Sequence, residues 1–185
     1  MRVFIAVDLP DEIRGRLGEV ERDLKEVSNS ARWVAPESVH ITLKFLGEIP
    51  EDRIASIDAT LAAVRWPSFP VIVRSVGFFP DSRSARVFWV GLQSPALEGL
   101  AGEIDGRMQQ LGFEKEKRPF RPHLTLARAR DMRIDRSLVA AAERFAHHDF
   151  GSFQADSFHL FQSTLKPSGA VYNKLKHYLL EPRSA

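Results

Sequence analysis

Cysteine is absent from this 185-residue chain. That removes disulfides, thiolate metal sites and cysteine nucleophiles from its chemistry. No apolar run approaches the ~18 residues needed to span a bilayer. The opening stretch, Met1-Arg2-Val3-Phe4-Ile5-Ala6-Val7-Asp8-Leu9-Pro10, is too briefly apolar for a secretory signal, because Asp8 and Pro10 follow at once. Neither sign of charge dominates: 26 Lys and Arg against 24 Asp and Glu leave a net +2, which excludes a polycationic coat for nucleic acid. His-Glu-x-x-His and clustered Asp/His ligand patterns are also missing. The expectation is a cytoplasmic, monomeric globular protein with no membrane partner, metal or cofactor, long enough to bury a substantial core.

What the chain does have is one short pattern twice. His40-Ile41-Thr42-Leu43 and His123-Leu124-Thr125-Leu126 stand 83 residues apart. Six His and four Thr shuffled in a chain of this length give roughly 0.13 His-x-Thr triplets, so two are improbable by chance. Both copies lie in apolar stretches that read as strands, where side chains alternate. His40 and Thr42 then share one face, with Ile41, Leu43 and Phe45 on the other; His123 and Thr125 share a face opposite Leu124 and Leu126. By the same alternation Lys44 falls on the His40 face and reads as a solvated strand-end lysine.

The surrounding order repeats too. Val3–Asp8 reads as a strand, and Pro10, Asp11 and Glu12 open a helix with the apolar stripe Ile13, Leu17, Val20, Leu24 and Val27. Arg32–Val34 is a short strand and Val39–Leu46 a clearer one, ended by Gly47. Pro50-Glu51-Asp52 opens a second helix with Ile54, Ile57, Leu61 and Val64 on one face, and Pro70–Phe79 returns as a strand. Then Arg86–Leu92 is a strand, and Ser94-Pro95 opens a helix carrying Leu97, Leu100, Ile104, Met108 and Leu111 up to Gly112. His123–Arg128 is a strand, Asp135 caps a helix running to about His147, and Gln154–Gln162 and Ala170–Leu179 are strands. The pattern predicts an α+β fold: one bilobal domain over 1–185, a duplicated unit with approximate halves 1–80 and 81–185. Pseudo-two-fold symmetry would then place antiparallel-rich sheets around a central cleft, helices outside, with His40 and His123 on its two walls.

Two imidazoles suit cleavage of a phosphodiester whose leaving group is a sugar hydroxyl. One neutral ring takes a proton from the attacking water, and the other, protonated, delivers one to the departing oxygen; such transfers are worth ~10²–10⁴ in rate. The Thr42 and Thr125 hydroxyls can donate to the non-bridging oxygens, and an arginine can neutralise them. The second copy sits in a basic stretch, Lys115, Lys117, Arg118, Arg121, Arg128, Arg130, Arg133 and Arg136 against Glu114, Glu116, Asp131 and Asp135, which fits an anionic substrate. Arg121, held extended before Pro122, is placed to aim at a phosphate. His147 and His148 read as cations at a helix C-terminus and His159 as a structural strand residue. Trp33, Phe79 and Tyr172 read as core aromatics that could also stack on a base. Two readings come from other classes. A metallohydrolase using His40, His123 and some of His147, His148 or His159 has no ligand pattern behind it. A noncatalytic RNA- or nucleotide-binding module leaves the matched imidazoles unexplained, since arginine or lysine serves phosphate better.

The stretch Arg32-Trp33-Val34-Ala35-Pro36-Glu37-Ser38-Val39-His40-Ile41-Thr42-Leu43-Lys44-Phe45-Leu46-Gly47 and the stretch Phe120-Arg121-Pro122-His123-Leu124-Thr125-Leu126-Ala127-Arg128 resemble the two-histidine phosphoesterase superfamily. Within it they are similar to the bacterial and archaeal RNA 2′,3′-cyclic phosphodiesterases, also called 2′-5′ RNA ligases. Arg2–Val7 with Leu9-Pro10 resembles that family's opening strand, and Ser163-Thr164-Leu165 with Gly169-Ala170 and Tyr172 its closing segment. The resemblance implies hydrolysis, without metal, of a terminal RNA 2′,3′-cyclic phosphate to a 2′-phosphomonoester. It puts His40 at the proton donor's position, His123 at the acceptor's, and Arg128 where an arginine assists at the phosphate. Thr42, Thr125, Arg128, Arg121 and Tyr172 are the candidate substrate-binding residues. Simple alternation points Arg128 away from His123, so reaching the phosphate needs a strand bulge or a side chain wrapped around the strand end. A sibling acting on ADP-ribose 1″,2″-cyclic phosphate or a cyclic nucleotide would carry the same motifs, which read the phosphate and not the base. Joining a cyclic end to a 5′-hydroxyl would use the same two protons in reverse.

Overall fold

Apolar stripes of the helices find their partners in two antiparallel sheets. A computed structural model describes residues 1–166 and 169–182. The chain runs β1 (Arg2–Val7), α1 (Asp11–Lys25), β2 (Ala31–Trp33), β3 (Ile41–Glu48), α2 (Ile54–Ala62), β4 (Phe69–Phe79) and β5 (Val87–Gln93). It continues through α3 (Pro95–Gln110), β6 (His123–Ala129), α4 (Arg136–Ala142), β7 (Asp149–Ala155), β8 (Ser157–Lys166) and β9 (Gly169–Leu179). One sheet has the order β3-β1-β8-β9, the other β2-β6-β5-β4-β7. Ile13, Leu17, Val20 and Leu24 of α1 and Leu97, Leu100, Ile104 and Met108 of α3 are buried as their spacing predicts.

Three strands of one sheet correspond to three of the other. In each, the His-x-Thr strand (β3 or β6) pairs with the strand that opens its repeat (β1 or β5), and the next strand comes from the other repeat (β8 on β1, β4 on β5). Each repeat thus lends a strand to the other's sheet. The expected α+β duplication therefore holds, and the exchange ties its two lobes into one core.

Several elements depart from the periodicity. Val27 lies past the end of α1 and is exposed. Gly47 does not end its strand: it sits at φ +77° inside β3, opposite Val3, where a residue without Cβ accommodates a bulge. Asp135 does cap α4, its carboxylate accepting from the Leu138 N–H, but the helix stops at Ala142 and tightens into a single 3₁₀ turn before His147. The expected strand Gln154–Gln162 is two strands. β7 belongs to the five-stranded sheet and β8 to the four-stranded one, and the chain crosses between them at Asp156. The apolar positions change parity there, from Phe153 and Ala155 to Phe158 and Leu160, as the chain passes from one sheet to the other.

Lys44 and Phe45 exchange their expected faces. The register steps from Ile5↔Lys44 to Ala6↔Thr42, so Leu43 is an extra residue in β3 and reverses the alternation beyond it. Lys44 turns inward, 6% exposed, where its ammonium pairs with Asp105 of α3 and donates to the Glu114 carbonyl at 2.8 Å. Phe45 turns outward and is 62% exposed. Asp105→Asn would leave a buried ammonium short of its counter-charge, and should destabilise the protein by about 3–5 kcal/mol, whereas Lys44→Met, which removes charge and keeps volume, should cost far less. Urea midpoints of the two variants check this; equal losses would mean that the pair is not held as a buried ion pair.

Candidate active site

β3 and β6 lie one in each sheet, and their open faces meet in a narrow cavity of about 80 Å³. Its walls are Val34, Ser38, His40, Thr42, Phe45, His123, Thr125, Arg128 and Tyr172. Larger hollows open on the surface, two of them sharing residues with this cavity, but of these only the cavity brings both imidazoles together.

Both rings are fixed in the same way. The Nδ1 of His40 lies 2.7 Å from the Ser38 carbonyl, and the Nδ1 of His123 lies 2.7 Å from the Arg121 carbonyl, in each case two residues back along the chain. A carbonyl can only accept, so each Nδ1 carries hydrogen and each Nε2 is left as the atom that takes or gives a proton. Aromatic edges complete the fit. Tyr172 stands perpendicular to His40 at 5.0 Å between centroids, and Phe79 stands perpendicular to His123 at the same distance. Phe4 supports His40 from beneath at 4.6 Å and stacks in turn on Phe161. Trp89 packs beside Phe79 and lies across Gly77, where a Cβ would fall 2.2 Å from the indole. The absent side chain at that position is what lets the indole lie there.

Arg128 reaches the cavity through a bulge. The register of β6 steps from Phe88↔Ala127 to Trp89↔Thr125, leaving Leu126 as the extra residue, so Leu126 and Ala127 both face the core and Arg128 returns to the His123 wall. Leu126 matches Leu43, and Arg128 matches Phe45, across the same 83-residue offset. Of the candidate residues, His40, Thr42, His123, Thr125, Arg128 and Tyr172 are brought together. Arg121 is not. Its side chain is exposed and outside the lining, because the turn before Pro122 presents its carbonyl to His123 instead.

Three contributors were not foreseen from the sequence. Phe45 was hidden by the parity change. Ser38 acts through its carbonyl, which no side-chain pattern announces. Arg14, on α1, donates to the carbonyls of Leu9, Pro36 and Val39 and pairs with Asp8, so it clamps the turn that leads into His40. Among the remaining histidines, His148 packs on Phe145 and Phe150, and His159 is buried and stacked on His177. No group of three or more His, Asp or Glu able to hold a metal occurs among the described residues.

Electrostatics favour neutral rings in the open cleft. Burial pushes His40 down to about 4, opposed by its bond to Ser38 and by the charge of Asp8, while Arg14 and Arg128 press it lower. His123 is lowered by burial and by Arg128, against the bond to Arg121. One arginine therefore acts on both imidazoles.

A family model for LigT-like phosphoesterases matches the chain twice, over residues 7–89 and 90–172. The chain belongs to the LigT-like phosphoesterase family. Members similar to it include the RNA 2′,3′-cyclic phosphodiesterases of Archaeoglobus fulgidus, 35% identical with 95% of this chain and 98% of the relative covered, and of Methanocaldococcus jannaschii, 33% identical with 96% and 100% covered. Among solved structures of the family's fold, a Thermus thermophilus protein superposes with a TM-score of 0.82 at 28% identity over the whole of both chains. E. coli LigT complexed with 3′-AMP gives a TM-score of 0.77 at 28% identity over 97% of each chain.

A base works above its pKa and an acid below it. With both imidazoles lowered from 6.5 in the open cleft, the bell-shaped pH profile of kcat/KM should lie on the acid side of that value. A bound phosphate favours imidazolium, so the kcat profile should be displaced to higher pH than that of kcat/KM. Complete Michaelis curves across about pH 4 to 9 measure the displacement. Superimposed profiles, or a flat one with chemistry rate-limiting, would contradict it.

Proposed function

We propose that this protein hydrolyses a terminal RNA 2′,3′-cyclic phosphate to a 2′-phosphomonoester without metal, using His40 as general acid and His123 as general base. The observation that carries the reading is the matched pair of imidazoles, each held through Nδ1 and each with a threonine hydroxyl beside it, on opposite walls of one cavity. The names of the related enzymes support the substrate.

In this reading water attacks phosphorus and gives its proton to the His123 Nε2. The bond from phosphorus to the 3′-oxygen breaks, and that oxygen takes a proton from the His40 Nε2. Thr42, Thr125 and Arg128 bind the non-bridging oxygens, where negative charge accumulates in the transition state. The resemblance assigns His40 as the acid; Asp8 favours its protonated form, while burial, Arg14 and Arg128 hold the free ring at about 4, so this role requires the substrate's own charge to raise it. Tyr172 packs on His40 and closes the substrate's side of that ring. The same two protons, moved in reverse, would join a cyclic end to a 5′-hydroxyl.

His40→Ala and His123→Ala should each lower turnover of a cyclic-phosphate oligonucleotide by about 10²–10⁴. The double variant should be little worse than the poorer single one, because the rings act as a unit. Activity should persist after exhaustive chelation, and phosphorus NMR of the product should show a 2′-phosphate. Near-native turnover in either variant would refute the paired mechanism; a 3′-phosphate would overturn the assigned roles, and preference for ADP-ribose 1″,2″-cyclic phosphate would overturn the substrate.

A further inference from the structure

Two hollows open from the catalytic cavity, and their charges differ. On the His40 side a hollow of about 380 Å³ shares Ser38, His40 and Tyr172 with the cavity. Its one lining cation, Lys174, pairs with Asp8, which also holds Arg14 behind it, and Glu37 adds a second carboxylate to the lining; farther along β9 Lys176 pairs with Asp58. On the His123 side a hollow of about 680 Å³ is lined by Arg86, Val87, Arg128, Ala129, Asp131 and Met132. Arg128 lines both this hollow and the catalytic cavity. Arg32 stands directly opposite Arg128 across the β2–β6 pairing, and Val87, next to Arg86, stands opposite it on the other side.

Among the described residues, Arg32, Arg86 and Arg128 are all exposed, and none has a carboxylate within ion-pair distance. Asp131 borders the hollow without pairing to any of them. Neighbouring strands lie ~4.8 Å apart, so the three arginines span roughly 10 Å of rim. Repulsion among unpaired guanidinium groups is tolerated where a polyanion is to be received, and each phosphate they meet releases counterions. Beside them Met132 is 81% exposed and offers an apolar surface to a base.

We infer that this rim, Arg32–Arg128–Arg86, is a subsite for the RNA strand on the 5′ side of the terminal nucleotide, so that the strand leaves the cleft over the β2–β6–β5 end of the five-stranded sheet. The inference rests on the proposed reading that a 3′-terminal cyclic phosphate lies between His40 and His123. The terminal nucleotide occupies the cavity, and the phosphates preceding it pass over Arg128 onto Arg86 and Arg32. The opposite exit lacks this attraction, because its lysines already have carboxylate partners.

The test compares a nucleoside 2′,3′-cyclic phosphate with a four-nucleotide RNA ending in the same group. The wild-type protein should favour the oligonucleotide about tenfold or more in kcat/KM. Arg32→Ala combined with Arg86→Ala should remove that advantage and leave the mononucleotide within about threefold, and should lower the slope of log(kcat/KM) on log salt by about 1.4, or ~0.7 for each lost single-strand phosphate contact. Lys176→Ala, on the neutralised side, should change neither. Equal turnover of the two substrates by wild type, an unchanged advantage in the arginine variant, or its loss in the lysine variant would each overturn the path. Fluorescence anisotropy with an RNA ending in a 2′-phosphate keeps the two ideas apart. If cyclic phosphates are not hydrolysed yet the arginine variant still binds this RNA about tenfold more weakly, the catalytic reading fails and the track stands; wild-type affinity in that variant would sink the track itself.

Discussion

A β-strand shows successive side chains to opposite faces, so residues five positions apart cannot share a wall unless the backbone inserts an extra residue. His40 and Phe45 are five apart, as are His123 and Arg128, and all four line one cavity. The extra residues are Leu43 and Leu126, each placed directly after the threonine. The cavity's remaining strand residues, Phe45 and Arg128, depend on these two bulges. Before each one, imidazole and hydroxyl face the cleft together; beyond it, the parity reverses. An arginine is thereby delivered to the cavity on one wall and an aromatic ring to the other. On the first wall the same reversal turns Lys44 into the core, where Asp105 must receive it. Function on one face thus creates an electrostatic obligation on the opposite face.

Duplication supplies two similar walls, and strand exchange makes them one body. The walls are not identical, and their differences compensate. Where the five-stranded sheet sets Trp89 beside Gly77, the four-stranded sheet has Ala6 beside His159 at the matching positions. In each pair a large ring stands opposite a small residue, the ring coming from the opposite strand of the repeat. The shared arginine breaks the symmetry further: its charge acts on both imidazoles, while Asp8 acts on His40 and not on His123. In the proposed mechanism these differences would add to substrate geometry in telling the acid from the base.

The duplicated order and the two His-x-Thr strands were legible in the sequence because amphipathic periodicity and a repeated motif are local signals. So were the start of α1, which begins one residue after Pro10, the cap at Asp135 and the α1 and α3 stripes. The bulges were not, since Leu-Lys-Phe and Leu-Ala-Arg carry no mark of where a strand gains a residue. Alternation therefore misassigned Lys44 and Phe45 and left the route of Arg128 open. The crossing at Asp156 does leave a trace, a change of parity from Phe153 and Ala155 to Phe158 and Leu160, which a single strand over Gln154–Gln162 overlooks. Arg121 was read for its guanidinium, yet its carbonyl is what meets His123. Arg14 escaped notice for the same reason: its partners are backbone oxygens at Leu9, Pro36 and Val39, brought near only by the tertiary fold.

The coupling of both imidazoles to one bound phosphate is most directly tested by proton NMR titration of the histidine Cε1–H resonances, assigned with single-histidine variants, with and without a 2′-phosphate nucleotide. His40 and His123 should both titrate below 6.5 in the free protein, and both should move upward when the phosphate binds, while His159 stays in place. A rise in only one of the pair, or in neither, would contradict a cleft in which two histidines share the work on a single phosphate.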